Sequence, residues 1–337
     1  MVKRLLVTVL QASVVALVLC AADAKPDASY QTLIGLEAAR SLGNGVLAVM
    51  LAGNDPKLAA RAALAIGRTK DAAGVPLLQG HLNDRNAAVR AMSVYGLGLL
   101  ATGASAPDII ADTTDAAGAV RVAALDAVGR YESAAKLSAG DESKAAAAVG
   151  VSLRADRDPI VRARAATAFE AFQKGRATGI AVRDLVGAWK TERDDEVRWH
   201  MMWTMFRAYA TQVPRALLSA ALHDRSELVR IEAVRAYGKL KDKKLVAAVL
   251  PLTRDPSWRV QLQALEAVRA LRGEKLTEHL KALPPGIHTP PVRVQTFMEI
   301  APLPRPAFTG KPAKPAAADA LTGLKIDPQT AELMDGP

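Results

Sequence analysis

The chain has 337 residues, of which half are apolar and only 4% aromatic, which excludes a large aromatic core and favours closely packed helices. A single cysteine, Cys20, excludes a disulfide framework and a cysteine-based metal site. The formal net charge of +10 points to anionic partners, without choosing among nucleic acid, acidic protein and an anionic surface.

Residues 1–24 read as a signal peptide. Lys3 and Arg4 precede an apolar run from Leu5 to Ala22, and Ala22-Asp23-Ala24 fits the small-x-small cleavage site. Cleavage after Ala24 is expected to leave an exported, periplasmic or extracellular chain that begins at Lys25 and contains no cysteine. The competing readings are an uncleaved anchor, because the run is of borderline length for spanning, and a lipoprotein modified at Cys20. Leu19 disfavours the second, since a small residue should precede the cysteine. Export turns the basic balance away from nucleic acid and towards an anionic envelope surface or an acidic protein.

Residues 25–53 read as an N-terminal cap, with Leu36-Glu37-Ala38-Ala39-Arg40-Ser41-Leu42-Gly43 as one helix over the first repeat. From residue 54 to residue 283 a unit recurs: an Asp, four residues, Val-Arg, then small and apolar residues at helical spacing. Its anchors are Ala60-Arg61, Val89-Arg90, Val120-Arg121, Val161-Arg162, Val197-Arg198, Val229-Arg230 and Val260-Gln261, at successive intervals of 29, 31, 41, 36, 32 and 31 residues. That interval suits two short helices and two turns. In each unit the apolar set falls at the anchor and four, five and eight residues later, as in Val161, Ala165, Ala166 and Phe169, which is one face of a helix. Asn86, Asp158, Asp194, Ser226 and Ser257, three residues before their anchors, have side chains suited to an N-cap, and Pro159 suits the first helical position. Each anchor therefore opens the second helix of a hairpin. First helices lie upstream, for example at Leu217, Leu218, Ala221 and Leu222. In the longest interval, residues 134–148 predict a loop and a longer first helix. One hairpin cannot bury its own stripe, so about seven must stack into an all-α, α-α superhelical solenoid.

Segments such as Asp156-Arg157-Asp158-Pro159-Ile160-Val161-Arg162 and Arg230-Ile231-Glu232-Ala233-Val234-Arg235-Ala236-Tyr237-Gly238 resemble HEAT repeats of the short kind named after phycobilisome lyases. The resemblance spans about residues 54 to 275 and implies the superhelix. It implies no single activity, because that family includes scaffolds, lyases and hydroxylases. The layout of leader, cap containing Ala39-Arg40-Ser41-Leu42-Gly43, array and Pro-rich exit also resembles the N-terminal region of exported bacterial HEAT-repeat peptidylprolyl isomerases, without their cyclophilin domain.

Beyond Leu283 eleven prolines between Pro284 and Pro337 exclude helix through most of the C-terminal stretch, which reads as a linker or tail over residues 284–337. Pro291-Val292-Arg293 lies where a decayed eighth unit would fall.

The recurring Arg61, Arg90, Arg121, Arg162, Arg198 and Arg230 are read as structural partners of Asp55, Asp84, Asp115, Asp156 and Asp224, because acid and base repeat together at fixed separation. The less regular Arg154, Arg164 and Arg235 are better candidates for a partner surface. Arg198-Trp199-His200-Met201-Met202-Trp203-Thr204-Met205-Phe206 departs from the Ala-rich pattern. The three methionines follow core positions, which leaves Trp199, Trp203 and Phe206 as candidate contacts for an apolar partner or as packing at a widened repeat. None of His81, His200, His223, His279 and His288 is followed by Glu, so the paired His-Glu ligands of di-iron hydroxylases are missing. There is also no His-Glu-x-x-His motif and no Gly-rich phosphate loop. No catalytic residue, metal or cofactor is expected. The leading expectation is a non-enzymatic extracytoplasmic scaffold whose concave face, lined by second helices, binds a protein or peptide. The alternatives are the regulatory part of an exported isomerase system and, third, a nucleic-acid binder, which export argues against.

Overall fold

The computed structural model describes residues 28–133 and 137–272. The segment 1–24 read as a signal peptide, the expected end of the array after residue 272, the expected tail at 284–337, His279 and His288 lie outside the described residues. Fifteen α-helices and no strand occur among the described residues. They are α1 (Ala28–Ala38), α2 (Val46–Leu51), α3 (Pro56–Thr69), α4 (Gly74–Gln79), α5 (Ala87–Leu100), α6 (Ala106–Ala111), α7 (Gly118–Ser133) and α8 (Ala139–Ala155). There follow α9 (Pro159–Ala168), α10 (Thr178–Trp189), α11 (Asp195–Ala208), α12 (Arg215–Ala221), α13 (Glu227–Lys239), α14 (Val246–Val249) and α15 (Trp258–Arg272).

After α1, the helices pair into seven hairpins. Their second helices, α3, α5, α7, α9, α11, α13 and α15, touch one another in succession and form one layer of the stack. Five of the seven first helices have only four to seven residues, and α6 and α14 run on into 3-10 turns; Pro76 and Pro107 lie in first turns, where a missing N–H costs no helical bond. The exceptions are the 12-residue α10 and the 17-residue α8, and the latter fills the longest repeat interval as the spacing predicts. Its N-terminus is closed by Ser138, which accepts from the Asp141 N–H.

The anchors explain the stacking. Val89, Val120, Val161, Val197, Val229 and Val260 have no exposed surface, and their Ala-rich neighbours let adjacent helices approach closely. A buried valine contributes about 1.5 to 3 kcal/mol relative to an exposed one, so the six are a large share of the adhesion between units. Between α3 and α5 the approach is closer than any side chain permits. A Cβ on Gly67 would lie 2.5 Å from the Cα of Gly96.

Two expectations about helix starts need correction. The segment 25–53 does not hold one capping helix: Gly43 and Gly45, at φ 66° and 94°, separate α1 from α2, and α2 packs on α3 as the first helix of the first hairpin. Asn86, Asp158 and Asp194 do accept first-turn N–H groups, whereas the Ser226 side chain makes no such bond. Asp55 and Asp84, read from the sequence as ladder acids, instead accept backbone N–H groups with their carboxylates, Asp55 from Lys57 as the N-cap of α3 and Asp84 from Asn86.

Candidate functional site

The periodic arginines build a ladder that joins hairpins. Arg90 donates from Nε and Nη2 to both carboxylate oxygens of Asp115, each at 2.9 Å, and from Nη1 to the Asp84 carbonyl at 2.9 Å. Arg121 does the same to Asp156 and to the Asp115 carbonyl, Arg162 to Glu192 and the Asp156 carbonyl, and Arg230 to Asp255 and the Asp224 carbonyl. Arg198 binds Asp224 and lies over the Trp189 ring with its guanidinium carbon 3.9 Å from the centroid. Each arginine thus holds the backbone of its own turn and the carboxylate of the next one. The same acids accept the turn N–H groups of Ala117, Asp158, Asp194, Ser226 and Ser257, so each rung also fixes a helix start.

The electrostatics follow from these contacts. The Arg90 guanidinium holds the Asp115 carboxyl below the usual carboxylate range. Burial pushes Asp156 and Glu192 up, but their arginines and turn N–H groups outweigh it and leave both lowered. At the ends the pattern changes. Arg61 pairs with Glu37 of α1, and Gln261 takes the arginine position and donates to the Asp255 carbonyl at 2.6 Å.

The residues singled out for a partner surface do not converge. Trp199 is buried at 8% exposure, which removes it from any exposed contact surface and makes it a packing residue. Its ring lies tilted against His200, with centroids 4.5 Å apart, and against Trp203 at 6.3 Å. Trp203 and Phe206 are half-buried, and each lies under a cation: Arg207 is 5.1 Å from the Trp203 ring, and Lys239 is 5.5 Å from the Phe206 ring. Lys239 also donates to the Phe206 and Arg207 carbonyls at the C-terminal end of α11.

The three irregular arginines are all ion-paired. Arg154, on the first helix α8, pairs with buried Asp184 at 2.7 Å, where Gly150 leaves room for the carboxylate. Arg235 on α13 donates to Glu232 at 2.9 Å and Gln263 at 2.8 Å. Burial pushes the Glu232 carboxyl up despite that arginine. Arg164 on α9 pairs with Asp126 of α7 at 3.1 Å.

Arg164 stands in the wall of an open groove of about 1230 Å³ across α5, α7, α9 and the 3-10 turn at Phe169–Lys174. Its cations are Lys70, Arg130, Arg164 and Lys174, and its acids are Asp126 and Glu170. Arg130 donates to the Tyr95 hydroxyl at 2.8 Å and lies 5.0 Å over that ring.

A family model described as HEAT repeats matches residues 43–129 and 214–286. Both of these stretches are HEAT repeats. The unmatched stretch between them holds the long α8 and the aromatic α11, the two places where the helices depart most from the short Ala-rich unit. No curated protein matches the chain. Similar solved structures include YibA of Escherichia coli, at 16% identity and TM-score 0.55, covering 83% of this chain and 99% of that one. An engineered protein matches at 19% identity and TM-score 0.50, covering 80% of each chain. Kap95p, in a structure with RanGDP, matches at 13% identity and TM-score 0.53, covering 85% of this chain and 41% of its own. At such identities these likenesses concern the fold alone.

Within the array, sequence reasoning missed Glu37, Glu192 and Asp255 as ladder acids. For Glu192 and Asp255 the signal was present, since each lies six residues before its anchor cation or glutamine. Lys70 and Arg130 each lie nine residues after their anchor arginine, a signal that was overlooked, whereas Lys174 carried none; only helix packing brings the three to one groove.

Proposed function

We propose that this protein is an exported, non-catalytic scaffold that binds a protein partner along its second-helix layer. The observation that carries the reading is how its cations are divided. The periodic arginines are used up in bonds between hairpins, while the second-helix layer keeps a wide groove and a half-buried aromatic pair under cations. A rigid stack with an open recess suits recognition of an extended surface. Kap95p, which has this kind of fold, binds RanGDP. Export rests on the leader at residues 1–24.

Two measurements test the two parts. Mass spectrometry of the chain expressed with its own leader is expected to find Lys25 at the N-terminus; retention of Met1 or Val2 overturns export by cleavage. A photo-crosslinking residue placed at Thr167, in the groove, is expected to trap a protein in living cells, whereas one at the exposed Val151 of α8 is not. Crosslinks from Val151 alone, or from neither site, overturn the scaffold reading.

A further inference from the structure

The groove across α5, α7 and α9 has an unbalanced set of charges once its internal pairs are removed. Asp126 is matched by Arg164 at 3.1 Å, and Glu170 is matched at 2.6 Å by Arg207, which does not line the groove. Lys70, Arg130 and Lys174 are then left without an ion pair of their own among the described residues; Arg130 shares the field of Asp126, which Arg164 already holds. Lys70 donates to the Leu99 carbonyl, and Arg130 is held by the hydroxyl and ring of Tyr95. Neither contact cancels a charge. Both leave the cation fixed at the groove rim, so little side-chain entropy remains to be lost when an anion arrives.

We infer that this groove takes an extended acidic peptide segment of a partner protein, with Lys70, Arg130 and Lys174 receiving its carboxylates. The inference rests on the scaffold reading above and adds the chemistry of the partner. The wall argues for a peptide over a nucleic acid. Asp126 and Glu170, each held by an arginine through one oxygen, interrupt the run of positive charge that an evenly charged phosphate chain would follow, and their second oxygens can accept the backbone N–H groups that a peptide carries between its acidic side chains. The floor is small at Gly129 and Ala168: a Cβ added at Gly129 would meet nothing nearer than the Ala168 Cα at 3.9 Å, so a peptide backbone has room to come close.

The test is fluorescence anisotropy with the full purified chain and labelled peptides of Glu-Ser-Gly and Lys-Ser-Gly repeats, with labelled single-stranded DNA as a third probe. The Glu-Ser-Gly peptide is expected to bind and the Lys-Ser-Gly peptide not to. The double variant Lys70→Glu/Lys174→Glu should weaken the acidic peptide by about tenfold or more, at a charge change that the control Lys57→Glu/Lys190→Glu matches far from the groove. Equal weakening in both variants reduces the effect to net charge and overturns the inference. So does tighter binding of the DNA, or preference for the basic peptide. If the groove variant still crosslinks its cellular partner from Thr167 as wild type does, the acidic groove fails while the scaffold stands. If nothing crosslinks but the acidic peptide binds in a groove-dependent way, the groove stands and the cellular scaffold reading fails.

Discussion

Arg121 grips Asp156 with two nitrogens, at 2.6 and 2.8 Å, across the boundary between the third and fourth hairpins. Both side chains are about nine-tenths buried. Removing one partner leaves the other charged and poorly solvated, and Arg121→Ala also strips donors from the Asp115 and Ala116 carbonyls. We predict a loss of about 3 kcal/mol in urea unfolding. Arg121→Lys should recover little of it, because an ammonium cannot fill the two-pronged geometry. The lowered acids Glu37, Asp115, Asp156 and Glu192 contribute stability above their unfolded pKa of about 4, and that contribution is lost as pH falls through their folded values. The urea midpoint should therefore drop steeply below about pH 4, and less steeply in Asp156→Asn.

Asp112 behaves in the opposite way. Burial, then the negative charges of Asp115 and Asp108, push its carboxyl up to about 6 against the pull of Arg90. A raised carboxylate weakens the fold while it is ionised, so its penalty is full above pH 6 and fades as pH falls towards 4. Asp112→Asn should stabilise the chain by about 1 to 2 kcal/mol at pH 7.5 and by almost nothing at pH 4, as read from thermal melts at the two values. Equal gains at both values would assign the effect to something other than charge.

Gly67→Ala sets helix propensity against packing. Alanine gains about 1 kcal/mol over glycine in a helix interior, but its Cβ would lie 2.5 Å from the Cα of Gly96, which is backbone and cannot swing away. Overpacking of this kind costs about 1 to 3 kcal/mol, so the variant should be destabilised. Gly187→Ala in α10, where nothing lies within 4 Å of the added carbon, should instead stabilise by about 1 kcal/mol. Denaturant midpoints of the pair separate the two effects directly.

Trp199→Ala should cost about 3 to 5 kcal/mol, because the ring is buried in the stack. Trp203→Ala, at a half-buried ring under Arg207, should cost clearly less. A melting temperature unchanged by Trp199→Ala would return that residue to the partner surface.

The ladder shows how far the repeat could be read without coordinates. Spacing located the arginines and three of their acids, Asp115, Asp156 and Asp224, because every unit repeats the same local geometry and hence the same residue offset. It did not show that the carboxylate partner lies one unit further on, as Asp156 does for Arg121, since that depends on how turns stack. The two ends broke the rule for the same reason: Arg61 has α1 beside it and finds Glu37, and Asp55 has no preceding arginine and serves as an N-cap. Trp199 and Trp203 looked equivalent in composition, and only the direction of α11 against its neighbours buries one ring and leaves the other half-covered.

By itself, the sequence determined the helical hairpins, their number among the described residues and the face each second helix buries, because apolar periodicity and turn chemistry are local and repeat with the unit. The tertiary structure decided which charges cancel and which stand together. Lys70, Arg130 and Lys174 come from three different hairpins, the first two at one repeat offset and the third at another, and only the packing of α3, α5, α7 and α9 brings their charges to one groove.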